Sequence, residues 1–496
     1  MLVDHTLEIL KRRFDAELEK YFDRIIYDVQ KKDGFIVEAL KYVKKITLAG
    51  GKRLRPSFMY YGYLGANGKE KKKMILLKSV FLIDTENSKI LKTDILVSEN
   101  RIKKIADKIK TKNARVIRAE GLWASPALVD IHVHSRVPGK EEAEDFFSLT
   151  KAALSGGIGT VVAMPNTEPP TDNPEILKKL IEKAKLESPL NLLFSSAATK
   201  GRKGKEMADI KQIAPYVAGF TDDGSWVENT DLMLELLLEA ARYGKKIFSH
   251  PQIPGRGAIN EGAVSKKLGI SAMDRKNEYL AVFRDCLLSI LTGVPLHLQQ
   301  ISAKESIEII KEAKKLNPGI TAETAPHYFC FTEDKLKELD SDFKMNPPLR
   351  TEEDRKSIIR ALKEGIIDII ATDHAPHTRR EKEKGIEDAP FGVTGLETLL
   401  SSSLTELYFK NKMPLENLIQ AITSKPARII NLKGRGMLKE GFPADIALID
   451  PKRKWTVDSF YSKSSNSPFK GIELKGKNII TIIDGVVRYE NGRFFI

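Results

Sequence analysis

The sequence predicts an α/β protein built around a (β/α)8 barrel, and three observations carry that reading. Eight short apolar runs recur between residues 128 and 435. Each is followed by a helical pattern, as in Ala303–Lys315 and Glu352–Lys363. Polar residues able to do chemistry fall at the C-terminal ends of those runs, which in such a barrel form one mouth.

The elements are taken in chain order. Residues 5–30 and 34–48 carry helical periodicity with dense charge, and Gly50-Gly51-Lys52-Arg53-Leu54-Arg55-Pro56 interrupts them. A polar run, Lys69-Glu70-Lys71-Lys72-Lys73, precedes a fresh β pattern opened by Met74. Strands are predicted at Ile75–Ile83, Asp94–Ser98, Arg101–Ile105 and Ala114–Ala119, and a matching set returns at Asp445–Ile449, Gly471–Leu474, Ile479–Asp484 and Val486–Tyr489. Two β-rich flanks suggest one small composite domain. The barrel strands are predicted at Leu128–His134, Gly159–Met164, Asn191–Ala197, Val217–Thr221, Lys246–His250, Pro295–Gln300, Ile320–Thr324 and Ile367–Thr372. The expected division is an N-terminal helical appendage (1–73), a composite β domain (74–127 with 436–496) and the barrel (128–435).

Composition narrows the class. The 496 residues are 42% hydrophobic and 30% charged, as in globular proteins. No apolar stretch reaches the roughly 20 residues that span a bilayer, and the first residues, Met1-Leu2-Val3-Asp4-His5, lack a signal core. With Cys286 and Cys330 as the only cysteines, a disulfide scaffold is not expected and a reducing cytoplasm fits. Net charge is +14, and residues 1–73 hold 17 Lys and Arg against 10 Asp and Glu. A solvated Lys-rich surface accounts for this, so neither a nucleic-acid nor a membrane partner is expected.

His132-Val133-His134 places two imidazoles on one face at a strand end. Asp373, after Ile366-Ile367-Asp368-Ile369-Ile370, can bring a carboxylate to the same point. Imidazole with carboxylate suits zinc and similar metals, and such a site points to a metal-dependent hydrolase. Asp373 can also carry a proton from water to a leaving nitrogen. His250 ends the fifth run and is a candidate for a second metal. In Phe220-Thr221-Asp222-Asp223-Gly224, one acid can bridge two metals and the other cap a turn. Arg136 offers a planar fork for a carboxylate, while Asn166, Asn346 and His377 can bind amide or carboxylate groups. His297 and His327 are read as supporting or structural, and Asp145 as a helix cap.

These residues carry a resemblance. Residues 74–496 resemble the bacterial dihydroorotases of the amidohydrolase superfamily. The matching stretches are Asp130-Ile131-His132-Val133-His134-Ser135-Arg136, Met164-Pro165-Asn166-Thr167, the Asp222-Asp223 segment, Asn346-Pro347-Pro348-Leu349-Arg350, Ala371-Thr372-Asp373-His374-Ala375-Pro376-His377 and Ala389-Pro390-Phe391-Gly392. The resemblance implies a TIM-like barrel of the metal-dependent amidohydrolase type with zinc in its mouth. It assigns His132, His134 and Asp373 to one metal, Asp223 as a bridging carboxylate and His250 to a second. Arg136, Asn166, Asn346, His377, Pro390 and Gly392 fall on substrate-binding positions. The implied reaction interconverts L-dihydroorotate and N-carbamoyl-L-aspartate in pyrimidine synthesis, with Asp373 moving the proton.

The sequence departs from that family in three places. Gln300 stands where a histidine ends the sixth strand, Pro251 and Gln252 follow His250, and Val137 follows Arg136. An amide oxygen is a poorer zinc ligand than imidazole, so one or two zinc ions per chain are expected. Two alternatives stay open. One is a catalytically impaired scaffold partnering aspartate transcarbamoylase. The other is a cyclic amidohydrolase of the hydantoinase or allantoinase type, which typically bridges its metals with a carboxylated lysine rather than an aspartate. A homo-oligomer is also left open. Residues 1–73, through Gly50–Pro56, resemble the start of a trans-polyprenyl diphosphate synthase. They lack its aspartate-rich motifs, which implies a fragment without synthase activity.

Overall fold

In the computed structural model the chain separates into two compact units, Met1–Lys72 and Lys73–Ile496. The structure describes residues 74–496 together with Glu19, Lys20, Asp23, Ile26 and Lys41, which are helical. The expected helices over 5–30 and 34–48 and the Gly50–Pro56 motif otherwise lie outside the described residues.

The barrel closes through eight stations. Strands Leu128–Val133, Ile158–Ala163 and Asn191–Phe194 form one parallel sheet, and Ile247–Ser249, Leu296–Leu298, Thr321–Thr324 and Ile369–Ile370 form another. The fourth run pairs only at Phe220, which bridges Ser196 on one side and Ile247 on the other. A parallel bridge from Val133 to His374 shuts the ring. Val129, Ile131, Val162, Met164, Phe248 and Ile369 pack into one apolar cluster with Ile429 and Ile430. The barrel is therefore a filled core, open to chemistry only at its mouth.

Apart from Thr321–Thr324, which ends where predicted, the strands end one to three residues sooner than predicted. The residues just past them leave the ladder, and Arg136 (φ 60°), Gln300 (φ 53°) and Asp373 (φ 50°) take left-handed backbone. That conformation costs on the order of 1 kcal/mol for a side chain with a Cβ. Here it turns these side chains off the strand direction.

Outside the barrel, helices are capped as their sequences suggest. Asp145 accepts the Ser148 amide and opens the helix Phe146–Ser155, while Thr351 and Asp354 form a capping box for Glu352–Glu364.

Both flanks supply a nine-stranded sheet. Its seam is the strand Trp123–Pro126, which runs parallel to Met74–Asp84 and antiparallel to Ile446–Thr456. Leu77, Val80, Ile95, Ile102, Ile446, Leu448 and Ile482 form a separate core there. The two runs predicted at Gly471–Leu474 and Ile479–Asp484 are one strand, Glu473–Ile483. Gly476 interrupts its apolar pattern because a Cβ there would meet Leu404 Cδ1 at 2.5 Å. Among the described residues no helix is long and apolar enough to cross a membrane.

Candidate metal centre

The first strand ends in an i, i+2 pair, so His132 and His134 share a face, and the Val133–His374 bridge brings Asp373 beside them. One ligand atom from each of His132, His134 and Asp373 lies within 4.8 Å of the others, and all three residues are buried. His134 Nε2 is 2.9 Å and His132 Nε2 3.6 Å from Asp373 Oδ1. Donors this close, of this chemistry, fit a divalent cation.

Each imidazole is held from behind. His132 Nδ1 lies 2.6 Å from Glu323 Oε1, and Glu323 Oε2 lies 3.0 Å from His297 Nε2. His134 Nδ1 lies 2.7 Å from Asn166 Oδ1. Donation from Nδ1 to these oxygens fixes the tautomer and turns each Nε2 lone pair toward the mouth. Burial works against the charge on Glu323, but His132 and His297 pull its pKa down to about 2. Burial likewise works against charge on His132, and Asp223 and Glu323 overcome it and raise its pKa well above the usual imidazole range, so a cation held at Nε2 would displace a proton from that nitrogen. Asp130 accepts the Thr372 hydroxyl at 2.5 Å and the His132 amide at 3.2 Å, which ties the first strand to the loop bearing Asp373.

The two aspartates of the fourth run divide their duties. Asp222 accepts the amides of Ala198 and Thr199 and anchors that loop. Asp223 faces the mouth, with Oδ1 3.0 Å from His132 Nε2 and 3.6 Å from His250 Nδ1, and Oδ2 3.5 Å from His134 Nε2. His250 sits behind it, with Asn346 Nδ2 3.3 Å from its Nε2. Gln300 turns its amide nitrogen to within 3.2 Å of His132 Nε2, while its oxygen faces the Tyr328 hydroxyl at 3.3 Å. His327 packs edge-on against Tyr328.

The remaining residues on substrate-binding positions gather at one side. Arg136 is buried and donates from Nε to the Pro376 carbonyl at 2.9 Å. Its Nη2 lies 3.1 Å from His377 Nε2, and that nitrogen is 2.9 Å from the Phe391 carbonyl. Burial, then the charges of Arg136 and Lys382, push His377 down to about 3, so its imidazole is neutral at pH 7. The Pro390 and Gly392 carbonyls both accept from Lys382 Nζ at 3.1 Å. Gly392 (φ 122°) leaves no room for a side chain, since a Cβ would meet that of Ala375 at 2.6 Å.

Sequence reasoning missed Glu323, Tyr328 and Lys382. Glu323 did leave a signal, as the one acid inside the buried strand Thr321–Thr324. Lys382 left none, because its neighbours are charged and its burial comes from a distant loop.

Two buried atoms in this mouth, His250 Nδ1 and Asn346 Oδ1, have no hydrogen-bond partner. Buried polar groups are rarely left so. Together with the convergent Nε2 atoms they fit a site meant to hold a cation and a polar ligand. Residues 123–488 match the model of the Amidohydrolase family. The chain belongs to the amidohydrolase family. It is 39% identical over 422 residues to a dihydroorotase of Carboxydothermus hydrogenoformans, covering 84% of this chain and 98% of that one. It is also 39% identical over 421 residues to a dihydroorotase of Clostridioides difficile, covering 84% and 100%. A solved L-hydantoinase (dihydropyrimidinase) from Arthrobacter aurescens superimposes with a TM-score of 0.77 at 24% identity, over 86% of this chain and 98% of its own. That likeness shows the barrel fold, and metal dependence is typical of this family of hydrolytic enzymes.

Proposed function

We propose that this amidohydrolase interconverts L-dihydroorotate and water with N-carbamoyl-L-aspartate, using a zinc ion held by His132, His134 and Asp373. The observation that carries the reading is this buried trio beside Arg136, in a chain 39% identical to dihydroorotases over nearly their whole length. A bound divalent metal supplies two things, polarisation of the amide carbonyl and a lowered pKa for water.

The chain's own residues do the rest. Asp373 presents Oδ1 to both imidazoles, and its second oxygen takes a proton from the attacking water. As the new carbon–oxygen bond forms and the ring carbon–nitrogen bond breaks, Asp373 returns that proton to the leaving nitrogen. The reverse direction runs the same transfers backwards. Arg136, Asn166 and Asn346 orient the substrate carboxylate, and neutral His377 donates or accepts at its edge without adding charge. The Pro390–Gly392 segment, tied by Lys382, closes that side. Burial of these groups strengthens each interaction.

The metal count follows from the donors. A second ion would find His250 and a share of Asp223, with amides where further strong ligands are needed. Gln300 aims an N–H toward the site, which repels a cation. One tightly held zinc per chain is therefore the reading supported here. Two free thiols, Cys286 buried and Cys330 half-buried, and the identity of the relatives support a cytoplasmic location.

The test is a turnover assay of the metal-loaded full chain on dihydroorotate, hydantoin and allantoin. Turnover of dihydroorotate alone is expected. Turnover of only the other two would defeat the proposal. No turnover of any, in protein that retains its metal, would favour the scaffold that partners aspartate transcarbamoylase.

A further inference from the structure

A polar loop of the C-terminal flank is buried where such loops normally face water. Tyr461-Ser462-Lys463-Ser464-Ser465-Asn466-Ser467 has the composition of a surface connection. It lies between the sheet strands Ile446–Thr456 and Glu473–Ile483. Its base is pinched, with the Val457 amide on the Ile472 carbonyl at 3.1 Å and the Gly471 amide on the Val457 carbonyl at 2.8 Å. Lys463 is exposed, but Ser462, Ser464, Asn466 and Ser467 are all buried. Polar groups taken out of water need partners, and several of these find them on the loops of the barrel mouth.

Asn466 makes the central contacts. Its Nδ2 donates to the Ala375 and Gly392 carbonyls, both at 3.1 Å. Its Oδ1 accepts the His377 amide at 3.1 Å, and its own carbonyl accepts the Thr394 amide at 2.8 Å. A primary amide supplies the two donors and the acceptor that this position uses, which a carboxylate or a hydroxyl does not. One residue thus ties the loop after Asp373 to the Pro390–Gly392 segment. Gly392 has no side chain with which to hold itself, and its carbonyl is gripped from the other side by Lys382. Ser462 reaches the same loop by a second route. Its hydroxyl donates to Glu144 Oε2 at 2.5 Å, and that oxygen lies 3.1 Å from His374 Nε2. The buried loop is itself anchored, since Glu397 Oε1 accepts the amides of Tyr461 and Ser462 at 2.8 and 3.2 Å.

We propose that Asn466 is a positioning residue for the reaction, which sets the gap between His377 and the Pro390–Gly392 segment and through it the affinity for substrate. This role rests on the proposed function, which puts both sides of that gap at the edge of the substrate. Asn466 acts through the residues it holds. Groups that bind a small molecule must be kept within about 0.5 Å of their working positions, and irregular segments need outside ties to achieve that. Asp373 is held without Asn466. The Thr372 amide and hydroxyl bind Asp130 at 3.2 and 2.5 Å, and His374 bridges to Val133. Loss of Asn466 therefore falls on substrate binding and spares the metal and the proton transfer. The flank outside the barrel thereby takes part in recognition. Asn478 offers a matched case. It is buried in the same flank, and its Nδ2 donates to two barrel carbonyls, those of Leu154 and Ser155, at 3.1 and 3.2 Å. Neither of those residues belongs to the site.

The test compares Asn466→Ala with Asn478→Ala in the zinc-loaded full chain. Both remove an amide that donates to two carbonyls, and both are expected to lower the melting temperature. Only Asn466→Ala is expected to raise KM for dihydroorotate, by about tenfold. Its kcat is expected to stay within about threefold of wild type, with zinc affinity unchanged in competition with a chelator. Hydrogen exchange of the amides in 374–378 and 391–395 is expected to quicken about tenfold in this variant alone. If Asn466→Ala misfolds, Asn466→Ser replaces it, with the same changes expected. An unchanged KM, an equal rise in Asn478→Ala or a loss of zinc affinity overturns the proposal. If the wild-type chain turns over no dihydroorotate, the functional reading fails by itself. The exchange rates then decide the link between the loops, and rates that do not quicken overturn it.

Discussion

The two poles of the barrel mouth differ in how completely their side chains are held. At the first pole His132 and His134 each have Nδ1 fixed by an oxygen, at 2.6 and 2.7 Å, and each has Nε2 aimed at Asp373. At the second, His250 Nδ1 and Asn346 Oδ1 have no hydrogen-bond partner, and among the described residues the only group set against the imidazole's other nitrogen is the Asn346 amide, 3.3 Å from Nε2. The first pole is rigid before anything binds. The second has polar atoms in reserve. A cation gains most where ligands are already oriented, and a substrate gains most where donors and acceptors wait unpaired. The difference assigns metal to one pole and substrate recognition to the other.

The most severe way to break this division is at Asp373, which serves both as ligand and as proton carrier. Asp373→Asn is expected to lower turnover by about 10³-fold or more, beyond the 10²-fold low end of proton transfer alone. A loss under tenfold in a steady-state assay would show that another group moves the proton. Glu323→Gln probes the first pole without touching the mouth. Metal affinity, read by competition with a chelator, is expected to fall 10–100-fold. Unchanged affinity would mean that the His297–Glu323–His132 chain serves packing only. Asn346→Ala probes the second pole. KM is expected to rise about tenfold with metal affinity intact, and weakened metal binding would erase the distinction between the poles.

The smallest expected effect lies away from both poles and gauges the scaffold. Burial lifts the Glu397 pKa to about 7, against which the amides of Ser462 and Tyr461 work. Its unfolded value is near 4.5. The folded form holds its proton to higher pH than the unfolded form. This group's contribution is therefore full below pH 4.5 and is lost as pH rises toward 7. Glu397→Gln should add about 1–3 kcal/mol above pH 7 and little at pH 4, read from urea melts. An equal gain at both pH values would mean that the carboxyl is not protonated in the fold.

The barrel was legible because its strands are apolar runs with chemistry at their ends. Sequence alone could not show where pairing stops. The run Val217–Thr221 pairs only at Phe220, because the chain leaves the ladder to aim Asp222 and Asp223 apart. The strand Trp123–Pro126 went unseen, since four residues ending in proline carry little pattern and the antiparallel partner lies more than 300 residues away. At the site, residue types with metal-binding spacing stood out, including His132, His134 and Asp373. Their supports did not. Glu323 belongs to the site through one contact across the barrel, and no local spacing encodes that contact.

The division between the poles is tested most directly by titrating zinc into metal-free full-length protein and counting bound ions by native mass spectrometry. One ion per chain is expected, lost in His132→Ala and His134→Ala and joined by a second in Gln300→His. Two ions of equal affinity in the unmodified chain, or one that stays bound without His132 and His134, would contradict it.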